Sequence, residues 1–312
     1  MQRLPALTAR ALSLARPGAN GRRTGGGIAV SPVSWGISEA AAWGPQLEPN
    51  RVLSEMASLG AGGIEAGPSG FLPDRSDAAR TLLRRHGLRM VAGPVFGVLH
   101  HHDLRQSELA HIDGHAGWLS ALGAMTLVLT VIGSRTDEPR ASELSSTGWA
   151  HLLSAIGSVQ HVCAVHGLRL AVEPRRGSMI EGPAEIERLL VGSEAGVSID
   201  IGQLVIAGAD PIEIVELAAR RIQHVHLNDL DGGLARSVRG GGLDYSAAVS
   251  RGLFKPLGSG DADVARVVEE LRSGGYKGWY GLQSDIRLNS VADDPLAGVR
   301  ESLAYARALL AA

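Results

Sequence analysis

Residues 149–173 read WAHLLSAIGSVQHVCAVHGLRLAVE, and this stretch contains the unit from which the fold is built. Apolar residues recur at spacings of three and four from Trp149 through Ile156 to Cys163, as on the buried face of an amphipathic helix. Gly167 is the residue type that commonly ends a helix in the left-handed conformation. The run that follows is short and mostly apolar, and it closes on Glu173. The stretch therefore predicts a helix, a turn and a buried strand with a carboxylate at its carboxyl end.

The same alternation of short apolar runs and longer helical patterns continues along the chain from Ile28. Short apolar strands that alternate with helices predict a parallel sheet covered on both faces. Eight such units favour a closed (β/α)₈ TIM barrel, an α/β fold that forms a single domain over residues 28–312. A doubly wound open sheet is the alternative, but its G-x-G-x-x-G signature is absent after the first strand. The eight predicted strands are residues 28–35, 63–66, 88–95, 125–132, 168–173, 197–200, 222–227 and 279–283.

The composition excludes several classes of protein. The chain has 312 residues, a formal net charge of −2, 45% hydrophobic residues and one cysteine. It is too apolar and too weakly charged to be disordered, and no apolar run reaches the ~18 residues of a membrane helix. The near-neutral charge argues against a nucleic-acid partner or an anionic membrane surface. Because Cys163 cannot form an internal disulfide, we expect a cytoplasmic protein.

The first 27 residues differ in composition from the rest. They include five arginines and no acidic residue, and they end in TGGG. We expect a basic, disordered extension outside the barrel, with an organelle transit peptide as the alternative.

Polar residues end four consecutive predicted strands. Glu173 closes the fifth strand, Asp200 the sixth and Gln283 the eighth, while His224 and His226 lie in the seventh. In a TIM barrel the active site lies at the carboxyl ends of the strands, so these side chains should meet at one mouth. Such oxygen and imidazole ligands suit a divalent ion such as Mn²⁺, Co²⁺, Zn²⁺ or Mg²⁺. The two histidines share one side of their strand, so only one of them need be a ligand.

Several segments resemble a known family. Residues 172–174 (VEP), 198–203 (SIDIGQ) and 224–229 (HVHLND) resemble the xylose-isomerase-like superfamily of sugar isomerases and epimerases. Residues 32–36 (PVSWG), 63–68 (GIEAGP) and 252–258 (GLFKPLG) are similar to its inosose dehydratase branch. The resemblance implies a divalent metal held by Glu173, Asp200, His226 and the residue at position 283.

The sequence departs from the family pattern at the metal and near it. Gln283 stands where the resemblance implies a second glutamate, and Gln203 stands where it implies a histidine that contacts substrate. An amide oxygen carries no charge, so the metal should bind weakly or be absent. Gln283 also cannot act as a base, which disfavours a two-carboxylate epimerase. Glu173 as base and His226 as acid would still allow elimination of water.

The predicted function is a metal-assisted lyase or isomerase resembling inosose dehydratase. It would remove a proton next to a carbonyl in a sugar or polyol-like small molecule and release water. One alternative is a diverged isomerase or lyase of specialised metabolism with weak or no metal dependence. An alternative of another class is a non-catalytic ligand-binding barrel. The sequence leaves a homo-oligomer open.

Further residues near the predicted strand ends are candidates for substrate binding. Guanidinium groups match phosphate or carboxylate oxygens, although at most one of two adjacent arginines should point inward. An indole would form an apolar wall against a sugar ring, and a second carboxylate would bind hydroxyls. The candidates are Trp35, Glu65, His100, Arg175, Arg176, Gln203 and Lys255.

Overall fold

The computed structural model describes residues 26–40, 43–134 and 144–311, and it has the predicted (β/α)₈ architecture. Eight parallel strands close into a barrel, in which β1 pairs with β8 on one side and with β2 on the other. Nearly all of the predicted basic extension, residues 1–25, lies outside the described residues. The barrel strands are β1 (Ile28–Val30), β2 (Gly63–Glu65), β3 (Arg89–Gly97), β4 (Thr126–Val131), β5 (Arg169–Val172), β6 (Gly196–Asp200), β7 (Ile222–Leu227) and β8 (Tyr280–Leu282).

All eight predicted strands are present, and the largest difference lies in the first. β1 ends at Val30, and Pro32–Trp35 forms a turn of 3₁₀ helix. Pro32 has no N–H for a strand ladder and favours the first turn of a helix. Gly36, with φ 77°, ends this turn in the left-handed conformation that glycine adopts without strain.

The helices surround the barrel and cover its apolar outer face. The helix predicted from residues 149–166 is α4, and Ser145 caps it by accepting a hydrogen bond from the Gly148 N–H at 3.1 Å. None of the helices among the described residues is long and apolar enough to cross a membrane. The α-helices are α1 (Pro49–Ser58), α2 (Ser76–Arg85), α3 (Arg105–Leu122), α4 (Ser146–Val165), α5 (Pro183–Gly192), α6 (Ile201–Ala207), α7 (Pro211–Ala218), α8 (Gly232–Arg239), α9 (Tyr245–Ser250), α10 (Val264–Ser273) and α11 (Leu296–Ala311).

Successive side chains of a strand point to opposite faces of the sheet, so polar and apolar residues alternate between the barrel interior and the helices. In β7, Val225 and Leu227 belong to the main apolar core between strands and helices. His224 and His226 face the barrel interior, where both contact Glu65 of β2. Gly281 of β8 leaves room for this contact, because a Cβ there would lie 2.1 Å from Glu65 Oε1. The interior of this barrel is therefore polar at the level of the strand ends.

An apolar floor lies in the barrel below these polar groups. Ala29, Val91, Ala92 and Val128 form a buried cluster, and the Trp279 ring packs against it. The Arg89 guanidinium lies 5.0 Å from the centre of the Trp279 ring, so the lower side of this ring makes a cation–π contact.

Asp229 lies two residues after the end of β7, and its side chain organises a loop outside the barrel. The Asp229 side chain is fully buried and accepts hydrogen bonds from the N–H groups of Leu230, Gly258, Gly260 and Ala262 at 2.9–3.0 Å. The segment Asp229–Leu230 also pairs antiparallel with Phe254–Lys255. One carboxylate thus fixes the long excursion between β7 and β8.

We expect Asp229→Ala to lower the free energy of unfolding by about 2–4 kcal/mol, because several buried N–H donors lose their acceptor together. Urea denaturation followed by circular dichroism measures the loss. Asp263→Ala is the matched control, since it removes only the N-cap of α10, which accepts from the Arg266 N–H. It should cost about 1 kcal/mol. Equal losses in the two variants would contradict this role of Asp229.

Candidate functional site

A cavity of about 370 Å³ lies at the carboxyl ends of the barrel strands. Glu65 at the end of β2, Glu173 after β5, His226 of β7 and Gln283 after β8 all line it. Asp200, the last residue of β6, is paired in register with His226 of β7 and lies beside the cavity. The strand ends therefore bring together the four residues that the resemblance assigns to a metal.

Glu173, Asp200 and His226 form a compact buried cluster. His226 Nδ1 lies 2.7 Å from Glu173 Oε2 and 3.7 Å from Asp200 Oδ2. One donor atom from each residue falls within 4.8 Å of the other two, a spacing that suits ligands of a single ion. All three side chains are at most 5% exposed, so the cluster is shielded from bulk water.

The orientation of His226 determines which of its atoms face the cluster. Its Nε2 lies 3.1 Å from Glu65 Oε1, which favours the tautomer that carries a proton on Nε2. Nδ1 is buried and, although close to Glu173, makes no hydrogen bond of acceptable angle. A metal-bound histidine commonly donates its other ring N–H to a carboxylate. His226 Nδ1 and the two carboxylates beside it therefore fit a divalent ion.

Neighbouring groups hold the two carboxylates in place. Asp200 Oδ1 accepts hydrogen bonds from the Gln203 N–H and from Asn228 Nδ2, both at 2.9 Å, so its Oδ2 is left towards His226. Ser198 Oγ donates to Glu173 Oε2 at 3.3 Å. Asn228 also donates to the Gln283 carbonyl at 2.9 Å and thereby ties β8 to the cluster. Sequence reasoning did not select Asn228, although it lies in the quoted motif at residues 224–229.

The charges of the cluster shift one another's pKa values. Burial lowers the pKa of His226, but the negative charges of Glu65 and Glu173 outweigh it and raise that pKa well above 6.5. Burial raises the pKa of Glu173, and the charge of His226 brings it below its ordinary value. Burial, together with the charge of Glu173, raises the pKa of Asp200 to about 6. In the absence of a metal, His226 therefore carries a proton between carboxylates.

Glu65 lines the cavity, as the predicted contact with substrate hydroxyls requires, and its carboxylate also contacts two histidines. Its Oε1 accepts from His224 Nε2 at 2.7 Å as well as from His226 Nε2. Burial raises the pKa of Glu65, but the two histidines more than offset this and hold it well below the ordinary value. Although it lines the cavity, this carboxylate is engaged in orienting His226.

Only one of the two adjacent arginines enters the cavity. Arg175 lines it, with Nη1 3.7 Å from Glu173 Oε1. Arg176 extends instead towards Glu181, with a separation of 3.9 Å between Nη1 and Oε1.

Gln203 belongs to a chain of hydrogen bonds at the cavity wall. Its Nε2 donates to the Tyr245 hydroxyl at 3.0 Å, and that hydroxyl donates to Asp285 Oδ2. The ring of Trp43 stacks on Tyr245 with centroids 6.4 Å apart. Tyr245, Asp285 and Trp43 all line the cavity, but Tyr245 and Trp43 come from connecting segments, where no strand-end rule could select them.

The structure places three candidate residues away from the cavity. Trp35 is fully buried, and its indole donates to Glu55 Oε2 at 2.7 Å, because the 3₁₀ turn directs it towards α1. Lys255 lies in the short antiparallel pair outside the barrel, and its Nζ is 3.8 Å from Asp231 Oδ2. His100 is absent from the cavity lining, and its ring packs against that of His101. The indole at the cavity is that of Trp43 rather than that of Trp35.

Comparison with known proteins finds relatives over most of the chain. Over 266 residues the chain is 29% identical to the rhizopine catabolism protein MocC of Rhizobium meliloti, covering 83% of this chain and 81% of MocC. Over 270 residues it is 28% identical to the inosose dehydratase of Geobacillus kaustophilus, covering 83% and 87%. The IolI protein, solved with a bound zinc atom, shares the fold with a TM-score of 0.68 at 12% identity, over 91% of this chain and 98% of IolI.

The family model described as the xylose isomerase-like TIM barrel matches residues 53–309. This match takes in β2 to β8 and every residue of the buried cluster. The chain belongs to the xylose isomerase-like TIM barrel family.

Proposed function

We propose that this chain is a dehydratase that acts, with a divalent metal, on a polyhydroxylated carbonyl compound. The family and the named relatives support a sugar-modifying TIM-barrel enzyme. The observation that carries the metal is the buried Nδ1 of His226, which the contact with Glu65 turns towards Glu173 at 2.7 Å and Asp200 at 3.7 Å. Glu173, Asp200 and His226 would hold the ion, and Gln283, which lines the same cavity and which the resemblance assigns to the fourth position, would add its amide oxygen.

The proposed reaction is an elimination of water. A base removes the proton from the carbon next to the carbonyl, a C=C bond forms, and the hydroxyl on the following carbon leaves with a proton as water. Glu173 is the base, because its lowered pKa keeps it ionised at neutral pH beside Arg175. A divalent ion held by Glu173, Asp200 and His226 would polarise the carbonyl and stabilise the negative charge that develops on it.

The geometry assigns His226 to the metal rather than to proton donation. Its Nε2 is held by Glu65, and its Nδ1 is turned to the carboxylates. The Tyr245 hydroxyl lines the cavity, and Gln203, which donates to its oxygen at 3.0 Å, would stabilise the charge left when the phenol gives up its proton. We therefore propose Tyr245 as the source of the proton for the departing hydroxyl.

The amide at position 283 favours elimination over epimerisation. An epimerase needs a second proton acceptor on the opposite face of the substrate, and an amide does not accept a proton at neutral pH. The same amide motivates the alternative of an enzyme with weak or no metal dependence. A measurement of metal binding distinguishes the metal-dependent dehydratase from the enzyme with weak or no metal dependence.

We expect the purified protein to bind about one Mn²⁺, Co²⁺ or Zn²⁺ per chain, and we expect Gln283→Glu to tighten binding about tenfold by adding a charged ligand. Calorimetric titration of the chelator-treated protein measures both. Equal affinity in the two proteins would show that residue 283 does not reach the ion. Full water loss from inosose in excess chelator would instead favour the metal-independent enzyme.

Glu173→Gln should lower the rate of water loss from inosose about a thousandfold or more, because the amide cannot act as a base. The spectroscopic assay of the unsaturated product measures the rate, and circular dichroism checks the fold. Glu181→Gln is the matched control at the rim, where Glu181 accepts from the Gly177 N–H and faces Arg176. It should keep the rate within about threefold. A folded Glu173→Gln protein with full activity would exclude Glu173 as the base.

The stability of the metal-free protein should fall as the pH rises above 6.5. The pKa of His226 is raised on folding, so the stability from its protonation is fully present below 6.5 and is lost as the pH rises through the folded pKa. The slope should reach up to about 1.4 kcal/mol per pH unit. Asp200 acts in the same direction, between its ordinary pKa of 3.8 and about 6.

Urea denaturation at a series of pH values measures this dependence. Saturating Zn²⁺ should remove the decline, because the ion takes the place of the Nδ1 proton. His161→Asn, a change at an exposed histidine, is the control and should leave the slope unchanged. A stability that rises with pH in the metal-free protein would contradict the protonated state of His226.

A further inference from the structure

The two sides of the cavity differ in chemistry. β3 stands opposite β7 in the closed barrel, and β4 stands opposite β8. Charged and hydrogen-bonding side chains line the β5–β8 side, among them Glu173, Arg175 and Asp285. Among the described lining residues, β3, β4 and the residue after β4 contribute only apolar side chains and a glycine. We call this side the apolar wall, and its larger residues are Ala92, Pro94, Phe96, Val128 and Ile132.

The apolar wall is open to the cavity rather than packed into the core. Pro94, Phe96 and Ile132 are only half-buried, unlike the outward-facing residues of the same strands. The backbone groups of β3 are used in ladders with β2 and β4, which leaves few of them for a ligand. A ligand that covers these carbons with its own carbons gains from their removal from water.

A hydroxyl placed against the apolar wall would lose its hydrogen bonds to water without replacement. A polyol can therefore place only the C–H face of its ring on this wall and must turn its hydroxyls to the polar half of the cavity, whereas an apolar substituent can cover more of the wall. The volume of about 370 Å³ is near the lower end of small-molecule pockets, so any group on the apolar side is small.

We propose that the substrate is an ether of a polyol ketone, with a small alkyl or aryl group that lies against the apolar wall. Its carbonyl and free hydroxyls face Glu173, Arg175 and Asp285 on the opposite side. The placement of the polar half rests on the proposed function, whereas the placement of the ether group rests on the apolar wall.

Binding of inositol ethers tests this assignment without turnover. The probes are myo-inositol and its mono-O-propyl and mono-O-benzyl ethers, which have no carbonyl and cannot undergo the elimination. We expect at least one ether regioisomer to bind the metal-loaded protein at least tenfold more tightly than myo-inositol in calorimetry. Ethers that all bind within twofold of myo-inositol, or more weakly, would overturn the proposal.

Variants at Phe96 show where the ether group lies. Phe96→Asn should weaken binding of the preferred ether about five- to tenfold and leave myo-inositol within twofold, while Phe96→Leu should preserve the preference. Equal weakening of both ligands would overturn the placement. Ile132→Thr against Ile132→Val provides the same comparison at a second position if Phe96→Asn does not fold.

Turnover of inosose by the wild-type chain is measured separately. Failure to release water from inosose would count against the proposed function but would leave the affinity ratio of the ethers standing. If inosose loses water but the ethers do not bind, the proposed function stands and the proposed ether substituent is wrong.

Discussion

The hydrogen bond between His226 and Glu65 is the contact on which the site depends. It crosses the barrel interior from β7 to β2 and holds the proton of the imidazole on Nε2, at 3.1 Å from the carboxylate. With Nε2 held in this way, Nδ1 lies beside Glu173 and Asp200, where it could give up its proton and offer a lone pair to an ion. The contact also restricts its surroundings, since a side chain at Gly281 would collide with Glu65 Oε1. His224, which shares the same carboxylate oxygen, keeps Glu65 from rotating away.

Such a concentration of buried charge is costly to stability and has to be balanced within the site. Glu65, Glu173 and Asp200 share the barrel interior with His226, and burial, together with the charge of Glu173, raises the pKa of Asp200 to about 6. Removing one member of a buried ionic group leaves an uncompensated charge, which costs more than the group contributed. A bound dication would balance the carboxylates and take the place of the Nδ1 proton of His226. The same residues that make the metal-free barrel pH-sensitive thus make it fit for an ion.

The parts of this site that follow from strand periodicity could be predicted from the sequence. Glu173, Asp200 and Gln283 end strands whose apolar patterns are local, so their convergence follows from the closure of the barrel alone. Tyr245 and Trp43 reach the cavity through connecting segments, whose paths depend on long-range contacts such as the Trp43 hydrogen bond to the Ile286 carbonyl. Trp35 was misplaced for a related reason. The pattern continued β1 through Pro32–Trp35, whereas the chain turns there and the indole reaches Glu55.

The two glutamines at positions 203 and 283 change the distribution of charge rather than simply weakening the site. At position 283 an amide stands where the resemblance implies a carboxylate, but Asp285, two residues further along, lines the same cavity. Its Oδ2 is held by Tyr245, which in turn accepts from Gln203. A carboxyl group is thus absent from position 283 and present two residues later on the cavity wall. Gln203, where the resemblance implies a histidine, donates to the Tyr245 hydroxyl and helps to orient it. The cluster of Glu173, Asp200 and His226 thus has the Tyr245 hydroxyl, the proposed proton donor, on one side of the cavity and the apolar wall of β3 and β4 on the other.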